Sequence, residues 1–118
     1  DITRFAFPNS PEKQEDHYNA VTNLGGMLVL VLKTDPRQRQ NRENFFAMGA
    51  YTQNLMLLLY EKGIGTCWKT PLYIFEPKVR KAFGIAKDEA IAGLLYLTDL
   101  EEVPPKAKRK NKHLISEY

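Results

Sequence analysis

The chain has 118 residues, the length of one domain. Hydrophobic residues make up 43% and charged residues 26%, a composition typical of a folded globular domain and not of a disordered or fibrous chain. The longest uninterrupted apolar runs have six residues, whereas a membrane span needs about 20. The first residues also lack the pattern of a secretory signal. We therefore expect a cytoplasmic protein with no membrane partner.

The net charge of +3 is concentrated at one end of the chain. Residues 104–118, here called the basic arm, carry five Lys or Arg and one Glu, and the rest of the chain has a net charge of −1. Such a cluster attracts phosphate groups of nucleic acids, membrane headgroups or cofactors. Proteins that bind single-stranded nucleic acid interleave aromatic residues for base stacking, and the arm has Tyr118 alone. The sequence therefore leaves a solvated terminus, a nucleic-acid contact and a cofactor-phosphate contact open.

The first half of the chain predicts a loop, a helix and a strand. Residues 1–10 show no clear period and predict a loop. Residues 11–23 predict a helix, because Pro11 suits a first helical position and acidic residues follow it. The continuous apolar run over residues 27–32 predicts a central strand buried on both faces.

The second half predicts a long helix and two further strands. Residues 41–62 have so broad an apolar band that we expect the helix to be buried by its own core or by a partner subunit. A strand over 64–70, a helix over 77–83 and a strand over 90–97 follow. This order indicates an α/β or α+β sandwich, with more apolar surface than so short a chain needs. A dimer or a missing part of the domain would explain the excess.

Catalytic and metal-binding templates find little support. His17 and His113 are far apart in the sequence, so we expect no metal site. Cys67 has no activating histidine nearby and is interpreted as a small core residue on a strand. Glycine-rich nucleotide loops and serine nucleophile motifs do not occur. The catalytic residues therefore remain unknown at this stage.

Four blocks of sequence nevertheless carry a family resemblance. They begin at Gly49 (GAYTQNL), Gly63 (GIGTCWKT), Pro77 (PKVRKAFG) and Ile91 (IAGLLYL). In this order and spacing they resemble the C-terminal half of the FMN-dependent nitroreductase family, especially its short single-domain branch. The similarity runs from about residue 13 to residue 100.

The resemblance implies an α+β nitroreductase-like sandwich, with a mixed or antiparallel sheet flanked by helices and a homodimer packed across the long helix. It also implies hydride transfer from NADH or NADPH to FMN, and then to a nitroaromatic, a quinone or a similar small acceptor. Trp68, Lys69 and Thr70 match the segment that lies along the flavin ring, with a backbone donor around Thr70 near N5. A cation such as Lys69 would stabilise the anionic reduced ring.

More loosely, Lys106, Lys108 and Arg109 match family cations that bind the FMN phosphate. The Arg-Arg-Ser type of motif in the family's N-terminal half has no counterpart in residues 1–12. We therefore interpret residues 1–118 as one nitroreductase-like domain that lacks its N-terminal half.

Two other functions remain open. The first is a non-catalytic dimerising remnant whose basic arm binds nucleic acid, although we do not expect nucleic acid as a partner. The second keeps the fold and the flavin but changes the chemistry, as in dehalogenation or flavin fragmentation.

Overall fold

A three-stranded antiparallel sheet is the frame of the fold. The computed structural model describes residues 2–102 and 105. The strands are β1 (Gly26–Lys33), β2 (Ile64–Lys69) and β3 (Glu89–Asp99), in the spatial order β1–β3–β2. The α+β class with helices flanking an antiparallel sheet is therefore confirmed.

Five helical segments flank this sheet. They are α1 (Ile2–Ala6), α2 (Pro11–Thr22), α3 (Gln38–Glu61), a 3₁₀ turn (Leu72–Phe75) and α4 (Pro77–Ala82).

The predicted loop over residues 1–10 is wrong, because α1 occupies its first half. Ile2 and Ala6 lie four residues apart, on one side of this short helix, and both pack against the buried core. Because α1 has five residues and the chain bends at Pro8 directly after it, the sequence shows no helical periodicity there.

The two faces of the sheet are covered differently. One face carries Ile91 and Leu94, which pack with Tyr73, Ile74 and Val79 of the 3₁₀ turn and α4. This side is called the short-helix face.

The opposite side, the α3 face, carries the buried residues Leu30, Leu32 and Leu95. Because adjacent residues Leu94 and Leu95 are both fully buried, β3 is the strand with two covered faces. The prediction that β1 is central and doubly buried is wrong: β1 lies at an edge of the described sheet, and its Leu28 is 39% exposed.

The long helix α3 lies across the sheet but buries little of its own surface. Within its 24 residues, all of which the structure describes, Thr52 alone is buried. The predicted burial of this helix by its own core is therefore wrong, and six of its large apolar side chains are exposed in the single chain. Gly63, at φ 75°, ends the helix in the left-handed region that glycine tolerates. Neither α3 nor any other described helix combines enough length and apolar character to cross a bilayer.

An aspartate fixes the turn that precedes α3. The Asp35 carboxylate accepts hydrogen bonds from the backbone N–H of Arg37 at 2.9 Å and from its guanidinium at 2.8 and 2.9 Å. The hydrogen bonds from the guanidinium, and to a lesser degree the one from the backbone N–H, lower the pKa of Asp35 to about 2. The turn therefore depends on an ionised carboxylate.

We expect Asp35→Asn to lower stability at neutral pH more than at acid pH. The folded pKa lies below the unfolded value, so the carboxylate stabilises the fold above about pH 4 and loses this effect as the pH falls towards 2. Urea unfolding at pH 7 and pH 2.5 measures the difference. Asp99→Asn, at an exposed carboxylate, is the control and should show no such difference. An Asp35→Asn deficit that is equal at both pH values would contradict the assignment.

Candidate functional site

The end of β2 places two predicted site residues on opposite faces of the sheet. Trp68 pairs with Leu95, and Lys69 pairs with Leu94. Directly opposite residues of antiparallel strands share a face, so Trp68 lies on the α3 face and Lys69 lies on the short-helix face. A ligand confined to one face therefore contacts one of these two side chains.

A glycine on the central strand makes room for Trp68. β3 contains a bulge, because Leu30 pairs with Gly93 whereas Val31 pairs with Ile91. Gly93 has φ 156°, and a Cβ atom at this position would overlap the indole Nε1 and lie 2.9 Å from the carbonyl oxygen of Lys69. Trp68 is 38% exposed. It is an exposed ring held against glycine and not a core aromatic.

Lys69 and Thr70 line a cavity of about 390 Å³ on the short-helix face. Its walls also include the rings of Phe7, His17, Tyr73 and Tyr96. The 3₁₀ turn directly after β2 brings Tyr73 to the cavity, and β3 supplies Tyr96 beside it. The result is a mainly aromatic cavity with one cationic side chain.

A chain of hydrogen bonds runs along one wall of this cavity. His17 Nδ1 lies 3.0 Å from Thr3 Oγ1, and His17 Nε2 lies 2.9 Å from the Tyr73 hydroxyl. The hydroxyls of Tyr73 and Tyr96 are 3.3 Å apart. The His17 ring also packs edge-on against Tyr73, with centroids 5.1 Å apart. Both ring nitrogens of His17 are thus engaged, and the imidazole is fixed in place.

Burial favours the uncharged forms of His17 and Tyr73 in this row of hydrogen bonds. Desolvation lowers the pKa of His17 below its usual 6.5. Desolvation also raises the pKa of the Tyr73 hydroxyl, and the hydrogen bond with Tyr96 adds to the rise. At pH 7 the hydrogen-bonded row of Thr3, His17, Tyr73 and Tyr96 therefore consists of neutral donors and acceptors. Lys69 is the cation that lines the same cavity.

The nitroreductase family model matches residues 4–97. The chain belongs to the nitroreductase family. This confirms the resemblance carried by the four sequence blocks, and the match extends N-terminally through α2 and into α1.

Family relatives agree with this assignment. The chain is 33% identical over 98 residues to "Putative NAD(P)H nitroreductase YfhC" of Bacillus subtilis. The match covers 83% of this chain and 50% of that protein, so the chain spans about half the length of this curated relative.

Solved structures share the nitroreductase fold. A nitroreductase-like family protein from Bacillus cereus superposes with a TM-score of 0.80 at 22% identity, over 99% of this chain and 65% of the other. A nitroreductase with bound FMN from Bacteroides fragilis gives a TM-score of 0.63 at 15% identity, over 99% and 66% of the two chains. At these identities the likeness concerns the fold.

Within this nitroreductase-family chain, the predicted site residues fall into two groups. The structure brings Lys69 and Thr70 together in the cavity and places Trp68 on the α3 face. Lys106, Lys108 and Arg109 lie outside the described residues, and their role stays a prediction. Cys67 lies on β2 as predicted, but it is exposed, so its interpretation as a core residue is wrong.

Sequence reasoning missed the three polar rings of the cavity wall. In the sequence His17 is a candidate metal ligand only, and no motif marks Tyr73 or Tyr96 as site residues. The hydrogen bond between His17 and Tyr73 joins residues 56 positions apart, so no local spacing could have revealed it. Among the described residues, no group of three or more His, Cys, Asp or Glu could hold a metal ion.

Proposed function

We propose that the protein is an FMN-dependent oxidoreductase that transfers hydride from NADH or NADPH, by way of the flavin, to a nitroaromatic, a quinone or a similar acceptor. The observation that carries the proposal is the cavity at the end of β2 in a nitroreductase-family chain, with Lys69 and Thr70 on its wall. FMN, when bound, supplies the two-electron chemistry that protein side chains lack.

The residues of this cavity suit one part of a flavin. An isoalloxazine ring is planar and apolar over most of its surface, and its reduced form is anionic. Aromatic walls and the Lys69 ammonium group match these two properties. Trp68 faces the other side of the sheet. Its predicted contact with the flavin therefore requires an isoalloxazine ring that extends past the end of β2.

The names of relatives support the same cofactors. One solved structure with this fold is a nitroreductase with bound FMN. Another, from "sphigopyxis sp. strain HMH", is described as FMN- and NADPH-dependent, at 18% identity and a TM-score of 0.62. The choice between NADH and NADPH remains part of the proposal.

An exposed apolar face on α3 supports the proposed homodimer. Phe46, Tyr51, Leu57 and Leu58 are between 57% and 70% exposed. Soluble monomers rarely expose a contiguous apolar surface of this kind, and a second copy of the helix would cover it. The proposed partners are thus a second subunit and a small electron acceptor.

Purification of the full-length protein tests the proposal. We expect a yellow protein that releases FMN on denaturation, is bleached by NADH or NADPH without oxygen, and has the mass of a dimer by light scattering. Oxidation by an added nitroaromatic should then restore the flavin absorption. A colourless protein that takes up no added FMN would contradict the proposal.

The alternative of a dimerising remnant with a nucleic-acid-binding arm stays a prediction, because the basic arm lies almost wholly outside the described residues. Salt-dependent binding of DNA or RNA by a flavin-free protein would favour this alternative.

A further inference from the structure

The inward face of α2 is mostly polar. Gln14, His17 and Val21 are the half-buried positions of this helix, and no residue of α2 is fully buried. A surface helix ordinarily anchors itself by burying an apolar stripe, whereas α2 has one apolar side chain, Val21, at these positions. Its exposed positions include Glu12 and Glu15, which suit contact with water. Little hydrophobic free energy therefore holds α2 against the fold.

Hydrogen bonds hold α2 in place instead. The Gln14 side chain donates to the carbonyl oxygen of Phe7 at 2.7 Å, in the turn between α1 and α2. His17 engages Thr3 of α1 through Nδ1 and the Tyr73 hydroxyl through Nε2. Among the described residues, the bond to Tyr73 is the one side-chain hydrogen bond that joins α2 to the fold beyond α1 and that turn. His17 therefore connects α2 to the wall of the cavity.

The groups that face the His17 ring offer no counter-charge for an imidazolium. Tyr73 on the 3₁₀ turn and Tyr96 on β3 carry neutral hydroxyls, and Thr3 on α1 is uncharged. The charged side chain on the cavity wall is Lys69 of β2, which is a cation. Among the described residues, no carboxylate lines this cavity. A protonated His17 would therefore share the cavity with a like charge, in a partly desolvated position.

The charged residues of α1 and α2 do not line the cavity. Arg4 of α1 is exposed and lines a separate groove beside α4. On α2 itself, the neighbouring Lys13, Glu15 and Asp16 are exposed, so water screens their effect on the ring. Desolvation lowers the pKa of His17, in agreement with a closed arrangement that favours the neutral imidazole.

We propose that neutral His17 holds α2 closed against the cavity of Lys69 and Thr70, and that protonation of its imidazole releases the helix. The open form gives the imidazolium the hydration that the closed form withholds, and a proton shifts an equilibrium only through such a difference. Release removes one wall of the cavity, since His17 is the residue of α2 that lines it. Access to the cavity therefore increases as the pH falls below about 6.5, where an exposed histidine takes up its proton.

The device consists of this chain's own contacts. It does not depend on which ligand the cavity holds, and its test uses no property of the flavin. The release can therefore fail while the proposed function stands, and the reverse also holds.

Hydrogen exchange of the full-length protein at pH 7.5 and pH 5.0, corrected for intrinsic exchange rates, tests the release by mass spectrometry. We expect the protection of the α2 amides in wild type to fall by at least about threefold at the lower pH. The fall cannot exceed about thirtyfold, because an ordinary histidine pKa of about 6.5 in the open form limits the gain. Wild-type protection of α2 that does not change with pH would overturn the proposal, and this comparison needs no variant to fold.

The size of the opening distinguishes release of α2 from unfolding of the whole domain. At both pH values we expect the α2 amides to be less protected than those of β3, and 0.5 M urea to accelerate their exchange less, because a local opening exposes little surface. Equal protection and equal urea sensitivity of α2 and β3 would show global unfolding and would contradict a separate release of the helix.

Two histidine variants assign the pH dependence to one residue. His17 and His113 are the two histidines of these 118 residues, and glutamine is polar but does not titrate in this range. We expect His17→Gln to remove the pH dependence of α2 exchange and His113→Gln to leave it as in wild type. A pH dependence that persists in His17→Gln would refute the role of His17.

Two tyrosine variants test the bond that holds the helix. Tyr73→Phe removes the hydroxyl that His17 engages, and we expect it to speed α2 exchange at pH 7.5 about two- to tenfold, the effect of one hydrogen bond. Tyr18→Phe, at a tyrosine that is 60% exposed on α2, should leave the exchange unchanged. Equal exchange in Tyr73→Phe and wild type would show that this bond does not hold α2.

Discussion

Gly93→Ala is expected to destabilise the protein by about 2–5 kcal/mol and to displace Trp68 from the sheet. The added Cβ would overlap the indole Nε1 and approach the carbonyl oxygen of Lys69 to 2.9 Å. The indole is 38% exposed and can turn towards solvent, whereas the backbone carbonyl does not move without disturbing the β2–β3 pairing. The positive φ of Gly93 adds strain for any residue with a side chain.

Chemical unfolding and tryptophan emission together measure this effect. Trp68 is the only tryptophan of the sequence, so its emission in these 118 residues reports on the displaced ring. Gly49→Ala is the matched control, because a Cβ there meets nothing within 4 Å and α3 continues on both sides. We expect that control to gain about 0.5–1 kcal/mol.

The double variant Gly93→Ala with Trp68→Ala distinguishes the two overlaps. Removing the indole relieves the contact with the ring and leaves the contact with the Lys69 carbonyl. The Gly93 substitution should therefore cost less in the Trp68→Ala background than in wild type, but still some stability. Wild-type stability and emission in Gly93→Ala alone would show that the strand tolerates a side chain at this position.

Lys69→Ala is expected to weaken FMN binding about tenfold and to lower the flavin reduction potential by about 20–40 mV. The proposed role of Lys69 is to place a positive charge beside the reduced ring, which is anionic, so its removal destabilises the reduced form more than the oxidised form. A difference of about 1–2 kcal/mol corresponds to this shift for a two-electron couple. Equilibrium dialysis and a redox titration measure the two quantities.

Two variants control for the loss of a lysine in general. Lys69→Arg keeps the charge and should restore most of the potential. Lys87→Ala removes a lysine at an exposed position between α4 and β3 and should alter neither quantity. If Lys69→Ala keeps the wild-type potential and affinity, Lys69 does not contact the flavin.

Gly93→Ala and Lys69→Ala change residues that lie near each other, on β3 and at the end of β2. A Cβ on Gly93 would meet both the Trp68 ring and the Lys69 carbonyl, so the bulge on β3 influences where β2 ends and where Lys69 and Thr70 lie. We therefore expect Gly93→Ala to weaken FMN binding as well, although no Cβ at this position would reach the cavity face itself.

Local sequence was sufficient for most of the elements. Pro11 with the acidic residues after it predicts α2, and the apolar patterns with their bounding glycines and prolines predict α3, α4 and all three strands near their observed bounds. Helix ends and strands of this kind depend on residues within a few positions of each other. The short α1 was missed because its stability depends on packing against distant residues.

The sequence by itself determined the family and the strand that carries Trp68 and Lys69, because four blocks in register carry that information locally. Only the tertiary structure decided which strand is central, since the apolar runs of β1 and β3 look alike and the sheet order alone makes β3 doubly covered. It also decided that Trp68 and Lys69 face apart and that His17, Tyr73 and Tyr96 meet in one cavity. These contacts join residues that are far apart in the chain, and strand register and the bulge at Gly93 fix their geometry.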